Sequence, residues 1–526
     1  MLQKYFNSFK TNWKENAYLL SLAAFLIALP TSIALISITA VVMLIVWVFT
    51  GNYKEKWNRL LSNKNALLMM CIPCIYLIGL CFTQNFSVGI QEFNKSLYWL
   101  IFAFVLGSSS RVSHINATKL LSVYVLAVTV AAGAALLKLL FVDSLFFSDF
   151  RSVTWINHIP FSFQIAFSIW IVFYYILNNK PSWIKKSLLS FLILFLIITL
   201  FALKSFNGYL YFGAMSFTAL IMLAWRAKTK ISKFIFGGAV LLITIFPTVY
   251  IYHCVQKFYN TVEYSVDEIP THTNHGNIYK HNFDNKIKEN GNYIGLFLCE
   301  EELIPLWDAH SCKPYFSKTP TGYSYSSVVI RYMTSKGLTK DAEGFAQLSS
   351  KDIENIENEI PNYIYAENKL RIYPRIYETI WEIDQYRVDK NPNQKSLAQR
   401  IELALLAVKI IERSPWTGVG LGNSAQAYVE IISESESKLA HPSTGSSHNQ
   451  YLNYLIRFGI IGTVIILGII FWVFFHGRKN YPFFVAIFFI SMLAANFGDA
   501  NWETFVGLNF FAFFSCFFMW VIKKNY

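Results

Sequence analysis

Charged side chains are scarce in this chain. Asp, Glu, Lys and Arg supply 15% of its 526 residues and hydrophobic types 54%, whereas a soluble domain carries roughly 25% charge. A soluble globular enzyme is thereby excluded. No apolar N-terminal stretch runs into a small-residue cleavage site, so no removable signal peptide is expected and the first apolar segment itself is expected to direct insertion. Self-similarity at a period of about 20–50 residues is absent, which excludes solenoids and arrays. The glycines of the run GVGLGN are spaced Gly418-x-Gly420-x-Gly422 with no strand before them, which excludes a dinucleotide or P-loop reading. Cysteine is also sparse. Cys71 and Cys74 form a CxxC, but they sit inside the apolar run 66–82 and read as small packing residues, not as a redox or zinc site. Cys299 and Cys312 lie in a polar stretch, and their spacing leaves open whether an oxidising compartment pairs them.

What the chain has instead is apolar blocks. They centre on residues 16–30, 32–50, 65–83, 96–109, 118–142, 160–178, 187–203, 207–225, 234–252, 450–475, 481–497 and 505–522. A helix crosses the bilayer core in roughly 20 residues, so the expected fold class is an all-α polytopic membrane protein of about twelve transmembrane helices. Three parts follow: residues 1–252 with the first nine helices, a polar segment 253–449, and residues 450–526 with the last three. The formal net charge of +13 marks topology, not nucleic acid, because its basic residues gather in every second connection. Lys54, Lys56, Arg59 and Lys64 fill one of these, and Arg226, Lys228, Lys230 and Lys233 another. Lys and Arg in short loops stay cytoplasmic. Both termini are therefore expected in the cytoplasm and the 253–449 loop outside, in the periplasm if the protein sits in a bacterial inner membrane.

Composition divides that loop. Residues 253–360 are polar, with turn signals at His275-Gly276 and Asn290-Gly291 and no helical period, and read as a small mixed insert. Across 362–413, Ile372, Ile376, Ile380 and Ile383, then Ile401, Leu405, Val408 and Ile411, recur at spacings of three and four, which predicts two amphipathic helices. Residues 414–424 form a glycine-rich turn. The spacing of His272, His275 and His281 lacks a carboxylate or thiol at a fixed offset, so no metal site is expected there.

Polar residues at the outer ends of membrane helices are candidates for function because they are costly in lipid. Chain-distant groups of this kind fall on one expected face: Asn157-His158, Lys204 to Asn207, Arg400, His448-Asn449, and Asp499 to Glu503. His448-Asn449 is followed by nine residues, Gly459, two residues and Gly462, giving H-N-x9-G-x-x-G. Upstream stand Arg400 and then Pro415-Trp416-Thr417-Gly418-Val419-Gly420-Leu421-Gly422. Taken with the helix count and loop position, these runs resemble the O-antigen ligase family, within the superfamily of O-antigen ligases and polymerases that transfer lipid-linked glycans.

The resemblance implies a metal-free, cofactor-free reaction that moves a glycan from an undecaprenyl diphosphate carrier to a hydroxyl acceptor, the lipid A core, at the periplasmic face. It also implies roles. His448 is the catalytic base, since a neutral imidazole takes a proton near neutral pH. Arg400 binds the diphosphate through its planar fork, with Arg375 a further ligand. Many members carry a Ser-Arg pair where this chain reads Lys204-Ser205-Phe206-Asn207-Gly208, and Lys204 is expected to stand in for that arginine. Asn449, Asn207, His158, Gly459 and Gly462 are expected to support the site. The two glycines also suit close helix packing.

Rival readings within the superfamily are an O-antigen or capsule polymerase and a protein O-glycosyltransferase, which differ from a ligase only in acceptor. A transporter of the lipid-linked glycan belongs to a different class. It calls for broken helices with midplane charges in paired halves, whereas here one long outward segment interrupts the helices asymmetrically.

Overall fold

The computed structural model describes residues 13–141, 154–179, 181–203, 205–261, 269–366, 372–440, 445–477 and 482–522. The chain divides into two compact units, Met1–Ile243 with Arg400–Tyr526, and Thr244–Gln399. The first unit opens with α1 (Trp13–Ala28), α2 (Ile33–Phe49), α3 (Tyr53–Ser62), α4 (Lys64–Met70), α5 (Ile72–Leu80), α6 (Phe86–Ser108), α7 (His114–Phe141), α8 (His158–Asn179), α9 (Trp183–Ala202) and α10 (Phe206–Arg226). The boundary with the second unit falls within α11 (Lys230–Tyr259).

Every apolar block read from the sequence carries a helix. Among the described residues six of these helices are long and apolar enough to cross a membrane, or seven if α2 and α3 count as one span bent by 117°. The others are shorter or interrupted, except α6, which has 23 residues but is less apolar. The block at 65–83 is split into α4 and α5, with Pro73 in the first turn of α5, where its missing N–H costs nothing. The basic stretch after α2, read as a loop, is largely the amphipathic helix α3.

The second unit adds β1 (Lys288–Glu289), β2 (Asn292–Tyr293), α12 (Glu300–His310), α13 (Tyr325–Ser335), α14 (Ala342–Ala346), α15 (Ser350–Glu357), α16 (Tyr363–Ala366) and α17 (Tyr373–Asp389). The boundary then falls within α18 (Ser396–Arg413), and the first unit resumes with α19 (Ser424–Ser433), α20 (Gln450–Gly477), α21 (Pro482–Gly498) and α22 (Phe505–Cys516).

Aromatic packing around α22 organises the first unit. Residues from Val506 to Cys516 are all buried. Phe513 meets Phe25 at 4.6 Å between ring centroids, Phe514 meets Tyr124 and Phe167 at 5.0 Å each, and Phe511 meets Trp502 at 4.9 Å. Lipid tails are as apolar as these side chains, so close ring packing rather than escape from water holds such helices together.

The second unit corrects the expectation of an insert without helical period. Its core is Leu303, Trp307, Tyr315, Val329, Tyr332 and Met333, carried mainly by α12 and α13. β1 and β2 pair antiparallel across Asn290-Gly291. Local caps start the short helices: Asp341 accepts from Gly344 N at 2.8 Å, and Ser349 forms a capping box with Asp352. A polar cluster lies under the strand pair, where the fully buried Glu289 takes Arg331 Nε at 2.7 Å and Asn362 Nδ2 at 2.6 Å. Cys299 and Cys312 are both free thiols, the first buried and the second exposed. His281 uses both ring nitrogens locally, with Nε2 at 2.9 Å from Pro270 O and Nδ1 accepting from Phe297 N at 3.2 Å.

Candidate active site

The glycine-rich turn and the start of α20 are knitted together. α20 breaks at Gly459 (φ 60°, ψ −169°), where the uninterrupted apolar run predicts a continuous helix. On one side of the break Ile460 N donates to Pro415 O at 2.7 Å and Ile461 N to Trp416 O at 3.3 Å. On the other, Ile456 O accepts from Val419 N at 2.7 Å and Arg457 O from Gly420 N at 3.2 Å. The turn thus supplies the partners that the broken helix gives up, as backbone at membrane depth requires. A Cβ on Gly459 would lie 2.3 Å from the carbonyl carbon and oxygen of Trp416, and one on Gly418 (φ 69°) 2.5 Å from Ile456 O. Gly462 lies against Phe458 of its own helix and faces Ile75 of α5. Asn423 ties the turn to the loop after α5, accepting from Gln84 N and Asn85 N at 3.0 and 3.1 Å.

Just before α20, His448 adopts the left-handed region (φ 52°). Its Nδ1 lies 3.2 Å from Asp499 Oδ1, and the imidazole keeps 33% of its surface exposed against 15% for the carboxylate. Burial pushes the Asp499 carboxyl up. The bond and charge of His448, the charge of Arg400 and the Ala500 N–H more than offset this and hold it below the usual carboxylate range. An ionised carboxylate only accepts, so the neutral form of His448 keeps its proton on Nδ1 and its lone pair on Nε2. That is the arrangement of an oriented general base.

Asp499 stands immediately after α21, whose last carbonyls lack partners within the helix. Two of the expected site residues satisfy them. Asn449 Nδ2 donates to Phe497 O at 3.3 Å, and Arg400 Nη1 donates to Gly498 O at 2.6 Å. A cation at a helix C-terminus is also favoured by the helix dipole. Arg400 forms no ion pair among the described residues, and its remaining N–H groups are available for an anion. Asn207, at the start of α10, packs on the same turn: a Cβ on Gly498 would lie 2.1 Å from its Oδ1. Its amide is buried, and neither N nor O has a hydrogen-bond partner among the described residues.

The structure therefore gathers His448, Asn449, Arg400 and Asn207 around residues 497–499. His158 opens α8, whose Ser162 packs against Gly208 next to Asn207. Arg375 belongs to the other unit, where it pairs with Glu378 at 2.5 Å. Lys204 lies outside the described residues.

Sequence reasoning placed Asp499 only in an outward stretch and passed over a buried ion cluster. Arg457 contacts Glu92 of α6 at 3.1 Å and Glu503 at 3.2 Å. Burial raises the Glu503 carboxyl against the pull of Arg457. The signal was present: Arg457 is the lone charge in the apolar run 450–475, and such a charge demands a buried partner.

No curated protein matches the chain. Residues 372–467, which include Arg375, Arg400, His448, Asn449, Gly459 and Gly462, match the O-antigen ligase family model. Over that stretch the chain is similar to the O-antigen ligase family, and the match, set among apolar helices, supports a place in that superfamily.

Proposed function

We propose that the protein transfers a glycan from an undecaprenyl diphosphate carrier to a hydroxyl acceptor, the lipid A core, at the periplasmic face of the inner membrane. One observation carries the reading: His448 is held by Asp499 at 3.2 Å while Arg400 is anchored one residue away on Gly498. A base and a fixed cation thus flank one helix end. In the transfer, the acceptor oxygen bonds to the anomeric carbon of the glycan as the bond from that carbon to the diphosphate oxygen breaks. The hydroxyl proton passes to His448 Nε2, and Asp499 stabilises the imidazolium that results. The departing diphosphate is met by the guanidinium of Arg400, an electrostatic aid to a leaving group that is already good. Lys204 and Arg375 are further proposed ligands to the donor, Asn207 contributes a buried amide beside Gly498, and His158 is proposed to shape the acceptor side. The basic cytoplasmic connections support twelve crossings with the 253–449 loop outside.

A positioned base contributes about 10²–10⁴-fold. His448→Ala is expected to remove transfer while the protein still folds and inserts in the membrane. Normal long-chain lipopolysaccharide from cells carrying only that variant would refute the assignment. Profiling lipopolysaccharide, lipid-linked intermediates and glycoproteins in a deletion strain separates the core acceptor from a second lipid-linked glycan or a protein hydroxyl.

A further inference from the structure

A left-handed backbone is unfavourable for a residue with a side chain, so the turn that carries His448 must be held from outside. Its bonds converge on Asn453. Asn453 Oδ1 accepts from Ser447 N at 2.9 Å and Ser447 Oγ at 2.7 Å, while its Nδ2 donates to Ser446 Oγ at 2.9 Å. Ser446 Oγ in turn accepts from His448 N at 3.3 Å, and Ser447 Oγ from Asn449 N at 3.2 Å. The two serines thus pass the orientation of one amide to the backbone N–H groups of His448 and Asn449.

What orients the amide lies deeper. Asn453 Nδ2 also donates to Glu503 Oε2 at 2.9 Å. With the amide flipped, its NH₂ would face the Ser447 N–H and its carbonyl would face the Glu503 carboxylate, so only one orientation is satisfied. Glu503 is kept in place by Arg457 Nη2 at 3.2 Å and Gln450 Nε2 at 3.4 Å. The remaining groups of Arg457 are committed to Glu92 through Nη1 at 3.1 Å and to Ser424 Oγ through Nε at 3.3 Å. Arg457 and Glu503 each keep only 9% of their side-chain surface exposed, so neither charge has water as an alternative partner.

We infer that Arg457 is a positioning residue, which acts through Glu503 and Asn453 to set the 446–449 turn so that the His448 imidazole meets Asp499. Arg457 touches neither His448 nor Asp499 in this arrangement. Its contribution to catalysis rests on the transfer proposed above, but the geometric relation to His448 can be measured without it.

The test uses the full-length protein in lipid nanodiscs, with the cell's own polyprenyl diphosphate-linked glycan as donor. Asn453→Ala removes the turn's bonds without touching a charge. The triple variant Arg457→Met, Glu92→Gln, Glu503→Gln removes the buried charges and leaves only Lys95, 36% exposed to solvent, without its partner. Both are expected to lower kcat by about 10²-fold, the cost of misplacing a catalytic group by roughly an ångström, with donor KM unchanged. Independently of activity, the rate at which diethyl pyrocarbonate modifies His448, read by peptide mass spectrometry, is expected to move from the wild-type value to that of Asp499→Ala. A folded Asn453→Ala protein with wild-type kcat and wild-type His448 modification overturns the inference, as does a raised donor KM with kcat unchanged. If His448→Ala itself still transfers glycan, the proposed function fails, while the modification rates still decide whether Asn453 and Arg457 position the ring.

Discussion

At the scale of single residues, the His448–Asp499 pair gives the sharpest expectation. An asparagine at 499 would present either an N–H or a C=O toward Nδ1, so the ring would no longer be confined to the tautomer with its lone pair on Nε2. In serine proteases the equivalent exchange lowers kcat by about 10⁴. Asp499→Asn is expected to cut turnover by about 10²–10⁴-fold with little change in donor KM, as measured by steady-state transfer. The pair also predicts a pH dependence. The Asp499 carboxyl is held below its ordinary range by His448 and Arg400, and a depressed carboxylate stabilises the fold above its unfolded pKa of about 3.9, the gain fading as pH falls through the lower folded value. The melting temperatures of wild type and Asp499→Asn should therefore differ just above that pKa, and converge at more acid pH. A gap that instead widened on acidification would mean that the carboxyl is not ionised in the fold.

At the scale of elements, the break in α20 is the feature on which the site is built, because it delivers the 446–449 turn, Arg457 and the glycine-rich turn to one place. Gly459→Ala would force a methyl to within 2.3 Å of the Trp416 carbonyl at a φ of 60°. Backbone cannot yield there as a flexible side chain would. The variant is expected to lose at least about 2 kcal/mol, visible as a lowered melting temperature and as faster hydrogen exchange across 415–423. The same break shows where sequence stops being informative. The apolar blocks were legible because the bilayer imposes both their length and their composition, and Gly459 itself was legible through its spacing from His448. Its conformation was not, since a glycine serves equally for packing and for breaking a helix. In the second unit α17 was legible through Ile376, Ile380 and Ile383, whereas α14 and α15 escaped because they span five and eight residues, too few turns for a hydrophobic period to register. Arg457 announced a buried partner, but Glu92 lies 365 residues upstream, and no local spacing encodes that pairing. Asn207 was found by its place at a helix end, whereas Asp499 could be paired with His448 only once α21 and α20 were seen side by side.

At the scale of the whole molecule, the proposed reaction requires that the loop between α11 and α20 face the compartment where lipid-linked glycan is presented. The alternation of basic connections argues for this arrangement, because Lys and Arg in short loops resist translocation. Native thiols offer a direct check. Cys312 is exposed in the second unit, whereas Cys299 of that unit is buried. Cys71, Cys74 and Cys81 are also exposed, in or at the end of the apolar helices, and are replaced for the test. In a variant that retains Cys312 alone, a membrane-impermeant maleimide is expected to label intact spheroplasts to the same extent as lysed ones. Labelling that appears only after lysis would place the loop in the cytoplasm. A base and guanidinium on that side would face no lipid-linked donor displayed outside, and the transferase reading would fail at the level of topology whatever the local geometry of His448.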